Sequence, residues 1–123
     1  MEWSFRGDLP IYAQLVAQIQ RAIVAGIYAP GEKLSSVRDM ASEAGVNPNT
    51  LQRALQELER QGLVYSQRTA GRYVTEDTGR IEDCRLTLAR EQLRSFLGSM
   101  ESLGYTRADI AALLNKEEEE CQS

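Results

Sequence analysis

The chain has 123 residues, with 18 acidic and 14 basic side chains, no histidine and a net charge of −4. That length holds one domain with an extension, or two small lobes, and buries only a modest core, so self-association is plausible on size alone. With no histidine and with Cys84 and Cys121 far apart, a Cys/His zinc site cannot be built; free thiols in a reducing cytosol are the simpler reading, and no cofactor is expected.

Pro10 suits the first position of a helix, and Ile11, Leu15, Ile19 and Ile23 recur every four residues behind it, with Tyr12 and Val16 beside them. Gly26 stops that helix and Pro30-Gly31 makes a turn. Ser36 is the best N-cap for a short second helix, with Asp39 three residues on and Met40 and Ala41 facing inward. Gly45 ends it and Val46 plugs the turn. Asn47 then caps a third helix that carries Pro48 at its first position. Leu51, Leu55 and Leu58 form the inward stripe of this helix; Asn49, Thr50, Gln52, Arg53 and Gln56 are left on the other face, and Gly62 is its stop.

Leu63 to Ser66 and Arg72 to Thr75 read as two short strands joined by a wing, Gln67-Arg68-Thr69-Ala70-Gly71. Thr78-Gly79 marks a boundary, which divides the chain into a winged helix-turn-helix over 1–77 and a helical segment over 78–123. In the latter, Leu86, Ala89, Leu93, Phe96, Met100 and Leu103 are spaced 3-4-3-4-3, a heptad-like seam. Gly104 ends that helix, and Thr106, with Asp109 at its third position, caps a last one bearing Ile110, Leu113 and Leu114. The fold class expected is mostly α with a small β component: an N-terminal winged helix-turn-helix and a short two-helix C-terminal dimerisation segment. A single long stripe with only a short partner helix is left uncovered within one chain, which favours the homodimer. Trp3 and Phe5 are read as packing residues, and Glu117 to Glu120 as a solvated tail.

With these residues in place, the chain resembles the GntR family of bacterial transcription regulators over about residues 9 to 75. The resemblance runs through Pro10-Ile11-Tyr12, Gly26, Pro30-Gly31, Leu34-Ser35-Ser36-Val37-Arg38, Asn47-Pro48-Asn49-Thr50, Arg53-Ala54, Leu58-Glu59, Gly62-Leu63 and Arg68, Gly71, Tyr73 and Val74. The short C-terminal tail is similar to that of the YtrA-type subfamily. The resemblance implies a homodimer held by the C-terminal helices on a palindromic operator, in the bacterial cytoplasm, with a small-molecule effector left open. Ser35 stands where many relatives have proline, and Thr69 where the wing usually has glycine; a β-branched residue resists positive φ, which bears on how closely the wing tip approaches DNA.

The DNA-contacting set expected is Ser36, Arg38, Asn47, Asn49, Thr50, Gln52, Arg53, Arg68, Gly71 and Arg72. The family pattern places Arg38 at the DNA. Asn49 and Thr50, at a helix N-terminus, can donate to phosphate where the dipole favours an anion, whereas capping alone accounts for Asn47. Arg53 can bond guanine bidentately and Gln52 adenine, against the simpler reading of a hydrophilic helix surface. Arg68 and Arg72 flank the wing, as minor-groove or phosphate contacts or as ordinary hairpin charges.

The leading function is therefore a sequence-specific DNA-binding repressor. The alternative is a winged-helix protein-interaction module without DNA binding, which the negative net charge favours. That charge is unevenly placed, since without the Glu117–Glu120 run the chain is neutral, and a DNA-binding face needs local rather than global basicity. An enzyme is the weakest choice: there is no P-loop, no nucleophile elbow and no cysteine beside a base. No apolar run approaches the roughly 20 residues that span a bilayer, and the N-terminus lacks the apolar core of a signal peptide.

Overall fold

The architecture follows from three helix caps and one hairpin. The structure, a computed structural model, describes residues 1–122. Helix α1 (Ile11–Val24) buries Leu15, Ile19, Ala22 and Ile23; Pro10 is its N-cap, one place earlier than expected. Helix α2 (Val37–Ala44) is capped by Ser36, whose hydroxyl accepts from the Asp39 N–H at 3.1 Å, and is closed by left-handed Gly45. Helix α3 (Pro48–Arg60) starts at Asn47, whose side-chain oxygen accepts from the Asn49 N–H at 2.8 Å. The Ser36 and Asn47 caps each satisfy a backbone donor that the first helical turn otherwise leaves without a partner, whereas Pro10 makes no side-chain capping bond.

Strands β1 (Val64–Gln67) and β2 (Gly71–Val74) pair antiparallel, from Val64 opposite Val74 to Gln67 opposite Gly71. Both lie within one residue of the expected strands. Thr69 causes no strain at the wing tip, because among the described residues only glycines have positive φ. The turn places its positive φ, +97°, at Gly71 instead.

Past the expected Pro30-Gly31 turn, residues 31–34 run along the free edge of β2. The Leu34 N–H donates to the Arg72 carbonyl at 2.9 Å, the Val74 N–H to Glu32 at 2.9 Å, and the Gly31 N–H to Val74 at 3.0 Å. Lys33 thereby sits opposite Tyr73.

Leu15, Ile19, Ile23, Met40, Leu51, Leu55, Leu58, Val64 and Val74 interlock in one core, each 2% exposed or less. Burying each such side chain stabilises the fold by about 1.5–3 kcal/mol. The N-terminal segment is held on α1 by two glutamines one turn apart. Gln18 exchanges two hydrogen bonds with the backbone of Ser4, and Gln14 does the same with Arg6. Trp3 and Phe5 stack with ring centroids 6.2 Å apart and pack against the core, as expected of packing residues.

Helix α4 (Thr78–Ser102) and helix α5 (Arg107–Gln122) complete the described chain. The chain forms two compact units, Met1–Arg85 and a second beginning at Leu86. The division falls later than the expected boundary between 77 and 78, because Ile81, in the first turns of α4, is buried in the first unit's core. In the second unit, Thr106 and Asp109 form a reciprocal capping box and Ile110 is 3% exposed. Glu117 to Glu120, expected as a solvated tail, are solvent-exposed but belong to α5.

Candidate nucleic-acid interface

With Leu51, Ala54, Leu55 and Leu58 turned inward, the 3.6-residue period leaves Asn49, Arg53 and Gln56 on the exposed face of α3. Thr50 is half-buried in the first turn. Gln52 stands on the flank beside the hairpin and is bonded to it: Arg72 Nη1 donates to Gln52 Oε1 at 3.0 Å.

Arg72 also pairs with Glu59, Nε to Oε1 at 2.6 Å, and the Ser66 hydroxyl donates to the same oxygen at 2.5 Å. Ser66 and Arg72 are cross-strand partners, so both project from one face of the hairpin onto α3. Burial opposes the charged form of Glu59, but the bonds from Ser66 and Arg72 and the Arg72 charge outweigh it and hold the carboxyl below its ordinary range. Arg72 is thus bonded within the chain as a strut between wing and helix, a role neither sequence reading gave it.

Arg53 takes a different course. Its guanidinium carbon lies 5.0 Å from the centroid of the Tyr12 ring on α1. Stacking of this kind leaves the edge of the guanidinium fork open to a base or phosphate. Two turns on, Arg60 is bonded to Glu57, whose carboxyl is held down to about 2 by the hydrogen bonds from Arg60 and then Gln61.

Arg38 lies exposed in the first turn of α2, and Arg68 at the exposed tip of the hairpin. Neither has an ion-pair partner among the described residues, and neither does Lys33. By contrast Arg6, Arg60, Arg72, Arg80 and Arg85 are all paired with carboxylates. Of the first unit's cations without a carboxylate partner among the described residues, Lys33, Arg38, Arg53 and Arg68 lie on or beside α2, α3 and the hairpin, and Arg21 lies on α1.

Between the start of α2 and the wing lies an open groove of about 550 Å³, lined by Lys33, Ser35, Ser36, Gly71 and Arg72 among others. A Cβ built on Gly71 would lie 3.5 Å from Lys33 Cε, which brings Lys33 to the base of the wing. Ser36 and Asn47 use their side-chain oxygens as caps, which leaves the Ser36 hydroxyl hydrogen and the Asn47 amide hydrogens available to an incoming anion.

The structure thus brings Ser36, Gly71 and Arg72 to one groove and Asn47, Asn49, Thr50, Gln52 and Arg53 to one helix, with Arg38 and Arg68 on flanking elements. Sequence reasoning gave Lys33 no role, and named Tyr12 only on a helix face and in the family motif, and Glu59 only in that motif. Lys33 directly precedes the Leu34-to-Arg38 motif, a position that could have drawn attention to it; the roles of Tyr12 and Glu59 depend on contacts across the fold. Among the described residues there is no cluster of His, Cys, Asp or Glu suited to a metal ion, and no helix long and apolar enough to cross a membrane.

This arrangement has counterparts. Residues 11–74 match the family described as bacterial regulatory proteins, gntR family. The chain is 38% identical over 110 residues to an uncharacterized HTH-type transcriptional regulator, YhcF of Bacillus subtilis, covering 89% of this chain and 91% of that one. It is 37% identical over 93 residues to the HTH-type transcriptional repressor YtrA of the same organism, covering 75% and 72%. A solved GntR family transcriptional regulator from Listeria monocytogenes superposes with a TM-score of 0.85 at 41% identity, covering 91% of this chain and 98% of that one.

Proposed function

This chain belongs to the gntR family of bacterial regulatory proteins, and from that premise we propose that it is a repressor that binds a palindromic DNA operator as a homodimer. The observation that carries the proposal is the distribution of charge on the first unit. Lys33, Arg38 and Arg68 stand without carboxylate partners among the described residues around α2 and the wing, while Arg6, Arg60, Arg72, Arg80 and Arg85 are each paired with one. An unpaired cation meets a phosphate without first breaking an ion pair, and each phosphate neutralised releases condensed counterions. This local excess answers the objection raised by the net charge of −4.

In this reading α3 enters the major groove, Arg53 reads a base edge, and Arg38, Lys33 and Arg68 grip the backbone. Asn49 and Thr50 donate to phosphate at the start of α3, and the hydroxyl of Ser36 and the amide of Asn47 serve the backbone as well. Gly71 lets the wing turn beside the DNA. Repression is favoured by the likeness to YtrA, a transcriptional repressor.

The dimer is supported by the second unit. Leu86, Leu93, Phe96 and Leu103 are 50%, 54%, 40% and 71% exposed, with Ala89 exposed and Met100 half-buried beside them. A contiguous exposed apolar seam of that kind marks an interaction surface. A two-fold dimer presents two recognition helices, so half-site centres should lie about one helical turn, roughly 10 base pairs, apart. Footprinting of the DNA upstream of the chain's own coding region, with titrations at several salt concentrations, tests this. A symmetric footprint with a steep salt slope is expected. A lone asymmetric half-site bound at full affinity, or binding indifferent to salt, overturns it.

A further inference from the structure

We infer that Arg72 sets the base specificity of this protein by fixing the side-chain amide of Gln52, so that Gln52 presents a hydrogen-bond donor to DNA and selects guanine over adenine. This rests on the DNA-binding reading above and names what one residue of α3 reads.

A guanidinium has only donors, so the atom of Gln52 that faces Arg72 at 3.0 Å must be the carbonyl oxygen. Arg72 cannot turn away easily. Its Nε bonds Glu59 at 2.6 Å, Glu59 is held in turn by Ser66, and the Arg72 side chain is only 17% exposed. The hairpin register adds a further constraint, since Arg72 is paired with Ser66 across the strands. The Gln52 amide is thus oriented from behind, with its oxygen drawn toward the wing and its NH2 turned the other way.

That orientation alters what Gln52 can read. A freely rotating glutamine bonds adenine bidentately, accepting from N6 and donating to N7. With its oxygen drawn toward Arg72 and one lone pair engaged there, Gln52 turns its NH2 donors, rather than its acceptor, toward the groove. Guanine presents two adjacent acceptors in the major groove, O6 and N7, and suits a donor. Adenine sets its own N6 donor beside N7, which opposes one. The pairing open to the free residue is therefore the one that the fold removes, and the wing acts on sequence preference without touching a base.

The test measures binding to a set of duplexes in which each operator position is varied through all four base pairs. Gln52→Ala identifies the position read by Gln52, as the one at which preference flattens. The wild-type protein should favour guanine over adenine there by about tenfold, the order of one good base contact. Arg72→Met keeps an unbranched chain but removes every donor, and should bring that ratio to near unity by releasing the amide. In the Gln52→Ala background, Arg72→Met should change nothing at that position. Gln52→Glu, which keeps Arg72 and an acceptor facing it but replaces the NH2 by a second acceptor, should invert the preference toward a base with an exocyclic donor, adenine or cytosine, so the idea stays testable if the Arg72 variant fails to fold. Adenine preferred by the wild type, or a guanine preference that survives Arg72→Met, overturns the inference while leaving DNA binding intact. A wild-type protein that shows no sequence preference at any position overturns the DNA-binding reading itself.

Discussion

The guanidinium of Arg53 lies over the ring of Tyr12, 5.0 Å from its centroid, and so joins the outer face of α3 to the first turn of α1. A long side chain that reads DNA loses rotamer freedom on binding, and stacking settles part of that loss in advance. Arg53→Ala should cost about 1–3 kcal/mol on the cognate site and relax the preference at one base pair per half-site. Tyr12→Leu keeps apolar bulk and removes the aromatic face, and should cost about 0.5–1 kcal/mol on the same site. Titrations on cognate and scrambled duplexes decide it. Equal losses on both duplexes for Arg53→Ala would show that it grips backbone.

Arg38, Arg68 and Lys33 form the contrasting set. None has an ion-pair partner among the described residues; Arg38 lies on α2, Arg68 at the hairpin tip and Lys33 beside β2. Replacing any one by alanine should weaken cognate and scrambled duplexes alike. The slope of log affinity against log salt should flatten by about one for each phosphate that is no longer neutralised, nearly doubled in a dimer that carries two copies. A variant that binds only the cognate duplex more weakly would belong with Arg53 instead.

Which parts of this site the sequence disclosed follows from the range of the interactions. Ser36, Gly45 and Asn47 are legible because capping acts over two to four residues. The apolar stripes of α1 and α3 are legible because helical periodicity is local. Arg72 shows the limit: in the sequence it reads as a charge flanking a wing, yet its partners are Glu59 and Gln52, 13 and 20 residues earlier. The strand-like run of residues 31–34 is hidden for a related reason, since Pro30-Gly31 signals a turn while the pairing of the next residues depends on where β2 arrives. The grip of Gln14 and Gln18 on the N-terminal segment is likewise visible only in the fold.

The seam on α4 makes oligomeric state the most direct measurement. Leu93 and Phe96 are large, apolar and 54% and 40% exposed. Replacing both by aspartate should yield monomers at micromolar concentration by analytical ultracentrifugation. The first unit should keep its fold, because neither residue contributes to its core. DNA affinity should fall steeply, since each half-site is then bound alone. A double variant that remains dimeric would place the interface elsewhere.

Two glycines should respond in opposite directions to the same substitution. Gly62 has φ of +78°, and a Cβ there would lie 2.5 Å from Arg80 Nη1, which donates to the Gln61 carbonyl at the end of α3 at 3.0 Å. Gly62→Ala should destabilise by about 1–2 kcal/mol through the left-handed backbone alone, and losing the Arg80 bond adds to that. Gly98 lies within α4 with nothing near its missing Cβ. Gly98→Ala should raise stability by about 0.5–1 kcal/mol through helix propensity. Thermal melts of the two variants read the signs directly, and a shared sign would contradict the backbone argument.

Acid should loosen the link between wing and helix before it does anything to Arg53. Glu57 and Glu59 both have carboxyls lowered from 4.5 in the folded chain, Glu57 to about 2. A depressed folded value means that the unfolded chain takes up protons first. The stability that these groups contribute is therefore complete above about pH 4.5 and is lost as pH falls through the folded values. The melting temperature should hold steady down to that range and then decline toward pH 2. In Glu59→Gln the Arg72 pair has lost its charge at every pH, so this variant should melt lower than the wild type near neutrality. Its decline between pH 4.5 and 2 should be shallower, bringing the two curves together in acid. Parallel curves that never converge would mean that the charge of Glu59 contributes nothing to holding the hairpin on α3, and that the hydrogen bonds from Ser66 and Arg72 hold equally well to a neutral side chain.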